Sequence, residues 1–119
     1  MEFLCVCLCS AEEQPALRRG LDLFIQRTGR DAALEYFVRR EDLLCRIRQG
    51  GCHAAVVSLG GALGMEAAIC VRSLDARLPL IWISDDEAFG LQSYRLQARM
   101  FLRFPVSSDQ IAQALARCL

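Results

Sequence analysis

Apolar runs of five to seven residues recur five times along this chain, and each is followed by a stretch whose apolar residues repeat at helical spacing. The runs are residues 3–8 (FLCVCL), 34–38 (LEYFV), 53–59 (HAAVVSL), 78–84 (LPLIWIS) and 100–104 (MFLRF). The fourth run has no polar residue before Ser84, the pattern of a strand covered on both faces. Strands joined by single helices over short connections must lie parallel, with helices on both faces of the sheet. For 119 residues the expected architecture is one α/β domain, residues 1–119, with a five-stranded parallel sheet in the flavodoxin-like order 2-1-3-4-5.

Local signals set the expected helix limits. Ser10 and Glu13 have capping-box spacing, and Pro15 suits a first helical turn. Leu17, Leu21, Phe24, Ile25 and Thr28 then mark an inward face before Gly29. Residues 41–49 form a second helix with Leu43, Leu44 and Ile47 on one side, ended by Gly50 and Gly51. Leu63, Ala67, Cys70, Val71 and Leu74 mark the third, and residues 86–97 a weakly amphipathic fourth. Ser107, with Gln110 three residues on, caps the last, which turns Ile111, Leu115 and Cys118 or Leu119 inward.

Composition removes several function classes. All 14 basic residues are arginine, so Schiff-base chemistry, a P-loop lysine and a lysine base are excluded. The single histidine, His53, argues against a two-histidine metal site or a Ser-His-Asp triad. Net charge is zero and the arginines are scattered, so direct nucleic-acid contact by this domain is not expected.

The seven cysteines are an odd number, and no export signal accompanies them. Residues 1–9 are apolar but carry Glu2 where a signal peptide needs positive charge, and they are too short to span a bilayer. The expectation is a cytoplasmic domain with reduced thiols and no membrane contact. Cys5, Cys7 and Cys9 share one face of a strand, with Cα atoms roughly 6–7 Å apart. That is poor geometry for one zinc with bonds of about 2.3 Å, so they are read as small core residues, with no metal or cofactor.

In such a sheet ligands bind at the carboxyl ends of the strands. Here the third strand runs into Ser58, Leu59, Gly60, Gly61 and Gly64, with no carboxylate, histidine or cation. A glycine turn opening a helix can cradle an anion, so a small-ligand (nucleotide or cofactor) site at Gly60-Gly61 is the alternative reading. The spacing is not the dinucleotide fingerprint, and the loop that a cobalamin domain needs after its first strand is absent. Asp85, Asp86 and Glu87, with Glu12 and Glu13, are read as helix N-terminal charge.

The segment PLIWISDDEAFGLQSYRLQARMFLRFPVSSDQIAQAL resembles the second half of a response-regulator receiver domain, CheY-like, and most of all the receivers of LytTR-type transcriptional regulators. Ser84, the run from Glu87 to Leu91, Ser93-Tyr94, Phe101, Pro105 and Ile111 to Leu115 carry the likeness, and Gly64-Met65-Glu66 resembles the turn after the third strand. Family chemistry uses carboxylates at the sheet edge to bind Mg²⁺ and a third-strand aspartate as phosphoryl acceptor; a fourth-strand hydroxyl and a fifth-strand lysine contact the phosphoryl group.

Matched position by position, the acidic pair falls on Cys7-Leu8 or Leu8-Cys9, the acceptor on Leu59 and the lysine on Phe104. Only the hydroxyl, Ser84, and the aromatic switch position, Phe101, are kept. The resemblance thus implies a pseudo-receiver without enzymatic activity, the N-terminal part of a longer regulator with a DNA-binding domain after Leu119. It also points to an output face for a homodimer or an attached domain, with Tyr94, Arg95, Arg99, Met100 and Arg103 as its residues.

Overall fold

The computed structural model describes residues 2–119. Five strands, β1 (Phe3–Cys9), β2 (Ala32–Phe37), β3 (Ala54–Ser58), β4 (Leu80–Ser84) and β5 (Met100–Arg103), pair in parallel in the order β2-β1-β3-β4-β5. The expected sheet order is the observed one. Five helices connect and follow them: α1 (Gln14–Thr28), α2 (Arg40–Arg48), α3 (Gly61–Leu74), α4 (Gly90–Arg95) and α5 (Ser108–Cys118).

Strand alternation sorts the core into two layers. Cys5, Cys7 and Cys9 of β1 face α1 and α5 with Leu17, Phe24, Ile83, Ile111 and Leu115. Val6 and Leu8 face the other side, with Leu43, Ile47, Ala67, Val71 and Trp82. The three cysteines are thus used as small apolar residues where α1 crosses the sheet. Burial of a side chain such as Leu43 or Leu115 stabilises by about 1.5–3 kcal/mol.

The closest helix pair is α1 on α5. A Cβ on Gly20 would collide with Ile111, so glycine in mid-helix lets the two axes approach. His53, just before β3, is a strand-edge residue: its Nδ1 accepts the Leu4 N–H at 2.9 Å and its own N–H donates to the Leu4 carbonyl at 2.7 Å.

Several local expectations need correction. The Ser10 side chain caps nothing; its carbonyl accepts from Glu13 in a 3-10 turn, Ala11–Glu13, and α1 begins only at Gln14. Thr28 faces solvent, its hydroxyl donating back to the Phe24 carbonyl at 2.7 Å. On α3 the buried stripe is Gly64, Ala67, Ala68 and Val71, while Leu63 is 66% exposed and Leu74 is also outside the core. Gly64 is required by the turn into the helix: a Cβ there would strike the Leu59 carbonyl just after β3.

The fourth helix is much shorter than residues 86–97. Asp86 caps a 3-10 turn, Glu87–Phe89, by accepting from the Ala88 N–H at 2.9 Å, and α4 ends at Arg95. Beyond it Gln97 takes φ +55°, and the Arg72 guanidinium collects the carbonyls of Leu96 and Gln97 at 2.7 and 3.3 Å. The Ser107–Gln110 capping box on α5 forms as expected.

Candidate functional site

The carboxyl ends of β1, β3 and β4 meet at one edge of the sheet: Leu8 and Cys9 end β1, Ser58 leads into Leu59 after β3, and Ser84 leads into Asp85 and Asp86 after β4. Leu59 follows β3 and joins Leu8 of β1 in a cleft of about 240 Å³, completed by Val38, Arg40, Glu41, Leu63 and Glu66. Arg40 spans its rim, 3.3 Å from Glu66 and 3.8 Å from Glu41. Leu59 has no nucleophilic atom. Ser58 beside it is buried on the opposite side of the strand, and among the described residues its hydroxyl has no hydrogen-bond partner.

The other matched positions do not converge on Leu59. Cys7 is fully buried in the α1/α5 layer, where its hydrogen bond with Cys9 and its burial push the thiol well above the ordinary value. Phe104 packs half-buried against the same layer, and its N–H donates to the Ser84 carbonyl at 2.9 Å. Phe101 turns to the other layer, edge-on to Trp82 at 5.3 Å, while Phe89 stacks on Trp82 at 5.6 Å. The aromatic position is therefore packed inward, and it lacks a hydroxyl that would draw it to solvent.

Ser84 is fully buried, 3.4 Å from Asp85 Oδ1, and its Oγ accepts from the Asp86 N–H at 3.4 Å. The neighbouring acids each have a local task. Asp86 caps its own turn, as read from the sequence, and Glu87 pairs with Arg103 at 2.9 Å. Asp85 differs from the expectation: it serves the N-terminus of α3, not its own helix, by accepting from the Gly61 N–H at 3.0 Å. A nucleotide or other anion at the Gly60-Gly61 turn would have to displace that carboxylate. Among the described residues no group of three or more His, Cys, Asp or Glu side chains is arranged to hold a metal ion.

The residues named for an output surface differ in exposure. Tyr94 is 81% exposed, and Arg95, Arg99 and Arg103 are also exposed. Arg99 donates to the Arg117 carbonyl at 3.1 Å, tying β5 to α5. Met100 is half-buried and packs into the α1/α5 layer, because it alternates with Phe101 on the strand. Leu91, part of the run that carries the receiver likeness, was not named for this face, yet it is 62% exposed, one helical turn before Tyr94. The i, i+3 spacing of Leu91 and Tyr94 was the available signal.

No family model matches the chain and no curated protein is similar to it. Solved structures are similar over essentially the full length. The response regulatory domain of protein MrkE from Klebsiella pneumoniae has a TM-score of 0.77 at 12% identity, covering 98% of this chain and 94% of that one. An orphan response regulator of H. pylori has a TM-score of 0.75 at 11% identity, with 98% and 97% covered. The Vibrio cholerae chemotaxis protein CheY4 has a TM-score of 0.71 at 15% identity, with 100% and 99% covered. Identities this low carry the architecture and nothing finer: the chain has the α/β fold of response-regulator receiver domains.

Proposed function

We propose that this chain is a pseudo-receiver: the regulatory domain of a cytoplasmic response regulator that signals through contacts, without aspartyl phosphorylation and without enzymatic activity. The observation that carries the reading is Leu59 at the receiver acceptor position, with Leu8 beside it, Cys7-Leu8 or Leu8-Cys9 where an acidic pair would hold Mg²⁺, and Phe104 in place of lysine. An acyl phosphate needs a carboxylate oxygen to form, and a hydrocarbon side chain cannot supply one. The resemblance to LytTR-type regulators makes transcription control through an attached DNA-binding domain the output. Nucleic acid is then contacted by that domain, not by this one.

The contact surface proposed is the exposed side of α4 and β5. Leu91 and Tyr94 are its exposed apolar and aromatic residues, and Arg95, Arg99 and Arg103 are its exposed cations. Aromatic and arginine side chains dominate interface energetics. With no phosphoryl group to switch it, the face pairs constitutively, with a second copy of this chain or with the output domain. Sedimentation equilibrium with and without acetyl phosphate and Mg²⁺ tests this. The expected result is concentration-dependent dimerisation that is indifferent to the phosphodonor and weakened by Tyr94→Ala and Arg95→Glu. A strict monomer at high concentration, or a dimer unaffected by either substitution, removes this face as a homodimer contact.

A further inference from the structure

The turn between β3 and α3 is built around a carboxylate from the chain itself. Gly61, at φ +65°, directs its N–H to Asp85 Oδ1 at 3.0 Å, and the Ser84 hydroxyl lies 3.4 Å from the same oxygen. Gly60 completes the seat. A Cβ built there would stand 2.8 Å from Oδ1, 2.9 Å from Cγ and 3.0 Å from Oδ2. A side chain on residue 60 would therefore crowd the carboxylate and oblige it to shift. Its partner is the first turn of a 14-residue helix, where unpaired N–H groups and the helix dipole favour a negative charge.

Asp85 is also the first residue after β4, at the root of the segment that carries Leu91 and Tyr94. The far end of that segment is held by the same helix. From α3, Arg72 donates to the carbonyls of Leu96 and Gln97 at the end of α4. The segment is therefore tied to α3 at both ends, through an anion at one and a cation at the other.

The geometry points to Asp85 as a built-in latch, an internal anion that fixes the β4–α4 segment against the N-terminus of α3 without any bound or covalently attached ligand. The latch rests on these contacts alone; its use as the standing substitute for an external anion rests on the pseudo-receiver reading. Releasing Asp85 frees the front of the α4 face while the Arg72 end stays held.

Amide hydrogen exchange on the full chain tests the latch with two independent lesions. Asp85→Ala removes the carboxylate. Gly60→Ala keeps the carboxylate on the chain but crowds it, so that the Asp85 side chain must shift, and the backbone at Gly60 (φ −77°) accepts alanine without strain. Each is expected to speed exchange of the amide of residue 61 by about tenfold and to raise exchange across residues 85–95, with α1 and α5 unchanged. The double variant should exchange no faster than either single one, because both remove the same contact. Unchanged exchange in Asp85→Ala, additive effects in the double variant, or acceleration spread over the whole sheet would overturn the latch. Phosphorylation of an aspartate in the wild-type chain would instead overturn the pseudo-receiver reading and leave the latch standing.

Discussion

Arg72 is the residue whose loss should most disturb the α4 side of the molecule. Its Nε donates to the Leu96 carbonyl and its Nη1 to the Leu78 carbonyl, both at 2.7 Å and both part-buried. Two longer bonds, to the carbonyls of Asp75 at 3.2 Å and Gln97 at 3.3 Å, are exposed. Arg72→Met keeps much of the aliphatic stem and removes every donor, so it isolates the hydrogen bonds from the packing. Taking an ionic donor from a part-buried carbonyl costs about 1–1.5 kcal/mol after allowance for solvent access, and the exposed pair adds little, giving a loss of about 2–3 kcal/mol. With an unfolding entropy of about 250 cal/mol/K for a chain of this length, the thermal midpoint should fall by about 8–12 °C. Trp82, the only tryptophan, lies fully buried between Phe89 and Phe101 and reports the transition by fluorescence. Arg72→Lys should recover less than half of the loss, since one ammonium cannot span all four carbonyls. A loss below about 0.5 kcal/mol for Arg72→Met, or full recovery by lysine, would refute the assignment of Arg72 as a tie between α3 and the α4–β5 connection.

Two further outcomes concern the core. Gly20→Ala drives a methyl into Ile111 and should cost about 1–3 kcal/mol in urea unfolding, with less than the additive loss when combined with Ile111→Ala; strict additivity would contradict the close α1–α5 approach. Burial pushes the Cys5 thiol up from 9.0 to about 12, so the fold keeps a proton that the unfolded chain releases. The stability this group contributes is complete below pH 9 and is lost as pH rises toward 12, and Cys118, raised to about 11 by burial, adds in the same direction. Unfolding free energy should therefore decline above pH 9, less steeply in Cys5→Ala; equal slopes in the two proteins would contradict the buried-thiol account.

Much of the fold was legible because its signals are local. Continuous apolar runs and helical periodicity set the five βα units and their order, and Ser107 with Gln110 marked the start of α5 correctly. The errors came where tertiary contacts outweigh pattern. Leu63 looks like a core residue by spacing, but the buried face of α3 is Gly64, Ala67, Ala68 and Val71, with Gly64 fixed by its close approach to the Leu59 carbonyl. Just past the early end of α4 the chain is held by Arg72, more than twenty residues away in sequence. At the site, the missing carboxylates were readable as identities, Leu8 and Leu59, because absence of a chemical group needs no geometry. The Asp85 contact was not readable: three acids in a row look like charge for the next helix, and only the fold carries the first of them to α3.

The central claim is that the carboxyl edge of this sheet cannot accept a phosphoryl group. Intact mass measurement after incubation with acetyl phosphate and Mg²⁺ tests it directly. The account predicts no added phosphoryl group at any time point, because Leu59 carries no carboxylate and, among the described residues, no cluster of His, Cys, Asp or Glu is arranged to hold a metal ion. A base-labile mass increase of one phosphoryl group, mapped to an aspartate of the folded chain, would contradict it.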